Sequence, residues 1–172
     1  MSKKKPVTLQ LEQRTAWSPG RAFLLGALTG SRSFTPAAVL ALSHGRDSLD
    51  GDWKDWPMFR APLGRVLVVV AAVGELVGDK SPKAPPRTSR TALIGRGAFG
   101  AVVGAALGST AEGRGRAVLG AVLGASGALV GSVVGMRLRA AIVEASGLAD
   151  PVVALGEDAL AIGGSVALVR AR

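Results

Sequence analysis

The feature that most constrains this chain is residues 117–136, a run without a single charged side chain. Arg114 and Arg116 stand before it, and Arg137 and Arg139 close it. A helix that crosses the hydrocarbon of a bilayer needs about 20 mostly apolar residues. This run has that length, and its flanking guanidinium groups suit headgroups on either side. The rest of the composition agrees. The chain of 172 residues is 48% hydrophobic yet only 4% aromatic, with no Tyr and 24 Gly. A water-soluble core of this size would draw more on Phe and Tyr. Ala, Val, Leu and Gly suit helices packed closely in lipid, where small residues let backbones approach.

Four further segments fit the same frame. Residues 91–111 carry one charge, Arg96, near the start, where a long side chain can snorkel to the headgroups. The short linker Glu112-Gly113-Arg114-Gly115-Arg116 joins this segment to 117–136 as a hairpin. The last segment opens at Asp150-Pro151, a good N-cap followed by the residue preferred at the first helical position. It runs to Val169, interrupted only by Glu157 and Asp158. Residues 62–78 hold Arg65 near the start and Glu75 inside, and Asp79-Lys80 ends them. Ser81-Pro82-Lys83-Ala84-Pro85-Pro86-Arg87 must then be a loop. Residues 22–43 are long enough to span, but their middle reads Gly30-Ser31-Arg32-Ser33-Phe34-Thr35-Pro36. Pro36 removes a helical hydrogen bond, Gly30 is a natural terminator, and Thr35-Pro36 a natural restart. Two half-helices with a break between them are expected.

The expected fold is an all-α integral membrane protein with about five transmembrane helices, the first broken near residues 32–36. A basic N-terminal segment, 1–19, precedes one polytopic domain, 20–172. The basic start, Lys3-Lys4-Lys5, is read as retained, because Arg32 interrupts the apolar stretch that a cleaved signal would need. Five spans place more Lys and Arg on the side of the N-terminus (Lys3, Lys4, Lys5, Lys80, Lys83, Arg87, Arg137 and Arg139 among them) than on the other. The N-terminus is therefore expected in the cytoplasm. The net charge of +9 then describes basic flanks, and no nucleic acid partner is expected. Trp53 and Trp56, in the acidic stretch 47–59, and Trp17 are read as interfacial anchors. An internal repeat is suggested by Leu25-Gly26-Ala27-Leu28-Thr29-Gly30-Ser31 and Val103-Gly104-Ala105-Ala106-Leu107-Gly108-Ser109. Each precedes an acid-bearing helix, with Gly74-Glu75 in one and Gly156-Glu157 in the other.

Gly95-Arg96-Gly97-Ala98-Phe99-Gly100 matches a phosphate-binding glycine loop, but no preceding strand or downstream catalytic set accompanies it. The glycines read better as packing faces. Gly100, Gly104 and Gly108 recur every four residues, as do Gly120 and Gly124, then Gly127, Gly131 and Gly135. With no Cys and one His, His44, the chain has no thiol nucleophile, metal-ligand spacing or His cluster. No enzyme activity, cofactor or metal is expected.

The polar residues inside apolar segments carry the functional case, since a charge near mid-membrane costs about 2.5–3.5 kcal/mol on insertion scales. Arg32 sits at the break. Glu75 and Asp79 share a helix face. Glu157 and Asp158 are adjacent, so one neighbour cannot screen both. Arg32 is expected to pair with Glu75 or Glu157, and the N–H groups at the start of the second half-helix favour anions. Arg32, Glu75, Asp79, Glu157 and Asp158 form the candidate substrate or ion site, with Gly30, Thr35 and Pro36 shaping the break.

The order of these features resembles a bacterial membrane-protein family known as domain of unknown function 4126. The likeness rests on Gly26-Ala27-Leu28-Thr29-Gly30-Ser31-Arg32-Ser33-Phe34-Thr35-Pro36, on Gly74-Glu75-Leu76-Val77-Gly78-Asp79-Lys80, on Pro85-Pro86-Arg87-Thr88 and on the stretch from Asp150 to Asp158. It implies a polytopic protein of a bacterial inner membrane and brings no established activity. Two functions remain open. One is a small transporter or channel-like protein with a polar midplane site for a small solute or ion. The other is a structural or accessory membrane subunit packing through Gly-rich helices. A homo-oligomer or larger membrane complex is expected in both.

Overall fold

The computed structural model describes residues 17–78, 89–111 and 113–170, and among them every regular element is helical. The helices are α1 (Pro19–Ser31), α2 (Thr35–Leu42), the short α3 (Pro57–Arg60), α4 (Pro62–Gly78), α5 (Arg90–Gly108), α6 (Arg114–Ser146) and α7 (Asp150–Arg170). Local chemistry sets several of their ends. The Ser18 and Ser89 hydroxyls cap α1 and α5 by accepting from Arg21 N–H and Ala92 N–H, each at 3.3 Å. Gly147 closes α6 with a left-handed φ of 66°, a conformation that costs other residues a steric penalty. Three helical stretches are long and apolar enough to cross a membrane: Arg90–Gly108, Gly115–Ser146 and Asp150–Arg170.

α6 is the spine. Its 33 residues span about 50 Å at 1.5 Å per residue. Gly100 and Gly104 of α5 lie against Gly124 and Gly120 of α6, and Gly108 lies against Arg116 and Ala117. The numbering rises on one helix as it falls on the other, so this pair is antiparallel. On an adjacent face, Gly26 meets Gly124, Gly30 meets Ala128 and Ser132, and Gly131 meets Ala27. Here the numbers rise together, so α1 runs parallel to α6. At each of these glycines a Cβ would overlap the backbone of the facing helix. Trp17 rests on Gly120, so the starts of α1 and α6 and the end of α5 share one end of the bundle, called here the lower end.

The chain reverses at the break. Residues after α2 return to the lower end, where Trp53 N–H donates to Ser109 Oγ at 3.3 Å, just past the end of α5. α4 then climbs from there until Glu75 reaches the break. α7 descends: its Glu157 and Asp158 meet Ser31 and Arg32, and the Leu168 carbonyl, near its end, accepts from Arg21 near the start of α1. The region expected to be one broken span is therefore a helical hairpin, α1 up and α2 back. A three-residue linker, Arg32 to Phe34, permits either course. Reversal lets Ala37, Leu40 and Ala41 of α2 bury against α4, α5 and α7 in one core with Val68, Ala72, Val103, Leu107 and Val169.

The loop between α2 and α4 closes the lower end of that core. Trp53 is fully buried, donates its Nε1–H to the Leu49 carbonyl at 2.7 Å and stands edge-on to Phe59 at 5.0 Å. The expectation that Trp53 anchors at a membrane interface is overturned by this burial, while Trp56 stays half-buried. Arg96, expected to snorkel outward, is enclosed by the chain. Large side chains on α4, α6 and α7 stay exposed, among them Leu67, Val70, Val122, Val134, Val152 and Leu160.

The crossing predicts opposite outcomes for two chemically identical changes. Gly124→Ala should destabilise by about 1–3 kcal/mol, because its methyl must displace the backbone of α5 at Gly100 and Gly104. Gly163 faces open space, and Gly163→Ala should stabilise by about 0.5–1 kcal/mol. Thermal unfolding midpoints in detergent read the contrast; equal shifts would remove the glycine contact as the basis of the spine.

Candidate functional site at the helix break

Arg32 is the residue around which the site is built. It leaves the helix with an extended φ of −137° and is completely buried. Its Nε–H donates to Asp158 Oδ1 at 2.6 Å, and Nη2 contacts the same oxygen. Nη1 donates to the Ser31 carbonyl at 3.2 Å, one of the carbonyls that a helix end leaves open. The Gly30 carbonyl is met from α6, where the buried Ser132 hydroxyl lies 3.1 Å away.

Sequence reasoning expected Arg32 to pair with Glu75 or Glu157, and the geometry gives each carboxylate a different partner. Asp158 holds Arg32. Glu157 accepts from Ser31 Oγ at 2.9 Å and from Arg139 Nη1 at 3.4 Å. Glu75 takes the backbone: Oε1 accepts from Ser33 N–H at 2.7 Å and Oε2 from Phe34 N–H at 2.9 Å. These amides immediately precede α2, so the anion-favouring position foreseen at the half-helix start already holds a carboxylate from α4. Thr35 and Pro36 are buried in the first turn of α2. Asp79 lies outside the described residues.

Three members of the cluster were missed, Asp150 among them, which was read only as an N-cap. Arg139 was read only as a flanking charge. It grips Asp150 with both prongs, Nε to Oδ1 at 2.8 Å and Nη2 to Oδ2 at 2.6 Å, and reaches Glu157 with the third nitrogen. Ser31 was passed over beside the more conspicuous Arg32. The charged side chains thus form a line down from the upper end. Side-chain exposure falls from 59% at Asp150 to 20% at Arg139, 13% at Glu157 and 1% at Arg32. A polar hollow lined by His44, Asp50, Lys54 and Arg60 among others belongs to the lower loop and holds none of the expected site residues. Among the described residues, no group of three or more His, Asp or Glu is placed to hold a metal ion.

The family described as Domain of unknown function (DUF4126) matches residues 21–171. The chain belongs to that family. The match takes in every residue of the cluster, from Arg32 to Asp158, so the helix break and its carboxylates are features of a family member rather than of an appended segment. No curated protein and no solved structure matches the chain.

The two ends of the polar line should respond differently to loss of one carboxylate charge. Asp158→Asn weakens the hold on a buried guanidinium and should cost about 3–5 kcal/mol. Asp150→Asn alters an exposed partner and should cost less than about 1 kcal/mol. Unfolding midpoints of the two variants check this; comparable losses would show that burial does not rank these contacts.

Proposed function

We propose that this is a small polytopic membrane protein that moves a small solute or ion through the polar site at the helix break. The support is the graded line of charge from Asp150 through Arg139 and Glu157 to the buried Arg32–Asp158 pair. A purely structural pair needs no such approach from the exposed end. Each carboxylate along the line has a partner that a passing ion or zwitterion can replace, in an arrangement where the resting state is closed.

In this reading the membrane topology departs from five spans. α4, α5, α6 and α7 cross, and the α1–α2 hairpin enters and leaves on one side. The halves run in opposite senses, α1 up, α2 down and α4 up, then α5 down, α6 up and α7 down. That is the pattern of an inverted repeat, in which sites form at the midplane around discontinuous helices, and it supports the internal repeat suggested by residues 25–31 and 103–109. Among the described residues, Arg46, Lys54, Arg60, Arg116 and Arg170 lie toward the lower end, and Arg90, Arg137 and Arg139 toward the upper. The positive-inside rule then puts the lower end in the cytoplasm of an inner membrane. The exposed apolar side chains of α4, α6 and α7 would meet lipid or a second copy of the chain.

An accessory role is the second reading. What favours it is that the ion pairs described close within one chain, as helix locks do. The readings separate in proteoliposomes loaded with a pH-sensitive dye, under an imposed potassium diffusion potential. Wild-type protein should change the internal pH when solute is added, and Glu157→Gln should abolish that change while folding normally. Equal traces from wild type and Glu157→Gln, or no movement with either, would leave the accessory role.

A further inference from the structure

Three polar groups follow one another at the start of α2. The Ser33 and Phe34 amides hold the two oxygens of Glu75, one each. The third is the hydroxyl of Thr35, the next residue along. Thr35 is buried, and its Oγ1 has no hydrogen-bond partner. A buried hydroxyl left without a partner costs free energy, and native structures seldom leave one so. Glu75 accepts from the two amides and makes no hydrogen bond to the hydroxyl of the next residue. Arg32, one residue before Ser33, adds positive charge to the same turn.

We propose that the start of α2 is an exchangeable carboxylate site. Glu75 is its resident occupant, and a small free carboxylate takes its place on Ser33 N–H, Phe34 N–H and the Thr35 hydroxyl. The exchange needs no covalent step. One carboxylate replaces another, and Glu75 moves with the upper end of α4, three residues before that helix ends at Gly78. As a substrate class this rests on the transport reading; as a binding site it stands on the three donors.

Sodium formate is the probe, titrated at constant ionic strength against sodium chloride, on the full chain in detergent. Thermal midpoint and calorimetric binding are the readouts. Glu75→Ala should bind formate saturably and gain thermal stability from it. Wild type should need at least about tenfold more formate, because Glu75 competes. Adding Thr35→Val to Glu75→Ala should raise the half-saturating concentration about tenfold. Glu75→Gln keeps the side-chain volume and turns an amide toward the donors. It should also respond at lower formate than wild type, and it serves if the alanine variant does not fold. If neither variant responds to formate beyond chloride, or if Thr35→Val changes nothing, the proposal is overturned. No gradient is involved, so formate binding without flux would keep the site and remove transport. Flux without formate binding would do the reverse.

Discussion

The contact between a buried guanidinium and a carboxylate is the one on which this architecture turns. Arg32 lies where α1 ends, and Asp158 lies on α7, 126 positions away in the chain. An unpaired charge in that place would cost several kcal/mol, so the two helices are joined wherever the fold exists. Once α7 is fixed against the top of α1, Glu157 falls beside Ser31, and Arg139 of α6 falls between Glu157 and Asp150. Helices that meet largely through Gly and aliphatic side chains acquire a single register.

The glycine faces make that contact possible. α1 and α5 share adjacent faces of α6, and Gly124 meets both Gly26 and Gly100. Side chains at these positions would push the helices apart, and Arg32 would no longer reach Asp158. Close backbone approach gains dispersion energy in lipid as well as in water, which is why small residues can hold a bundle with so little aromatic surface. The α1–α2 hairpin completes the interior. α2 is short, but nearly all of it is buried, and Glu75 supplies the amides at its start with the partner that the broken helix lacks.

Much of this was legible in the residues. Gly30 and Pro36 mark the break, and the lone acids inside apolar runs mark the side chains that gather there. The family resemblance rested on those same positions. The direction of α2 was not legible, because three linking residues allow continuation or reversal and only the tertiary core chooses. Nor was the choice of Asp158 for Arg32. Neighbours on a helix point about 100° apart, so which of Glu157 and Asp158 faces α1 depends on the rotation of α7, set by contacts far along the chain. Trp53 misled for a related reason: paired with Trp56 it suited a membrane interface, while its ring turns inward to close the lower end of the core.

The reversal at Arg32 is the claim that most of the topology depends on, and sided labelling tests it directly. The chain has no cysteine, so single substitutions give an unambiguous signal. Gly20 and Gly45 flank the hairpin and are exposed. In right-side-out and inverted membrane vesicles, Gly20→Cys and Gly45→Cys should react with a membrane-impermeant maleimide from the same side. Labelling of the two from opposite sides would mean that α1 and α2 form one continuous crossing, and the hairpin would be wrong.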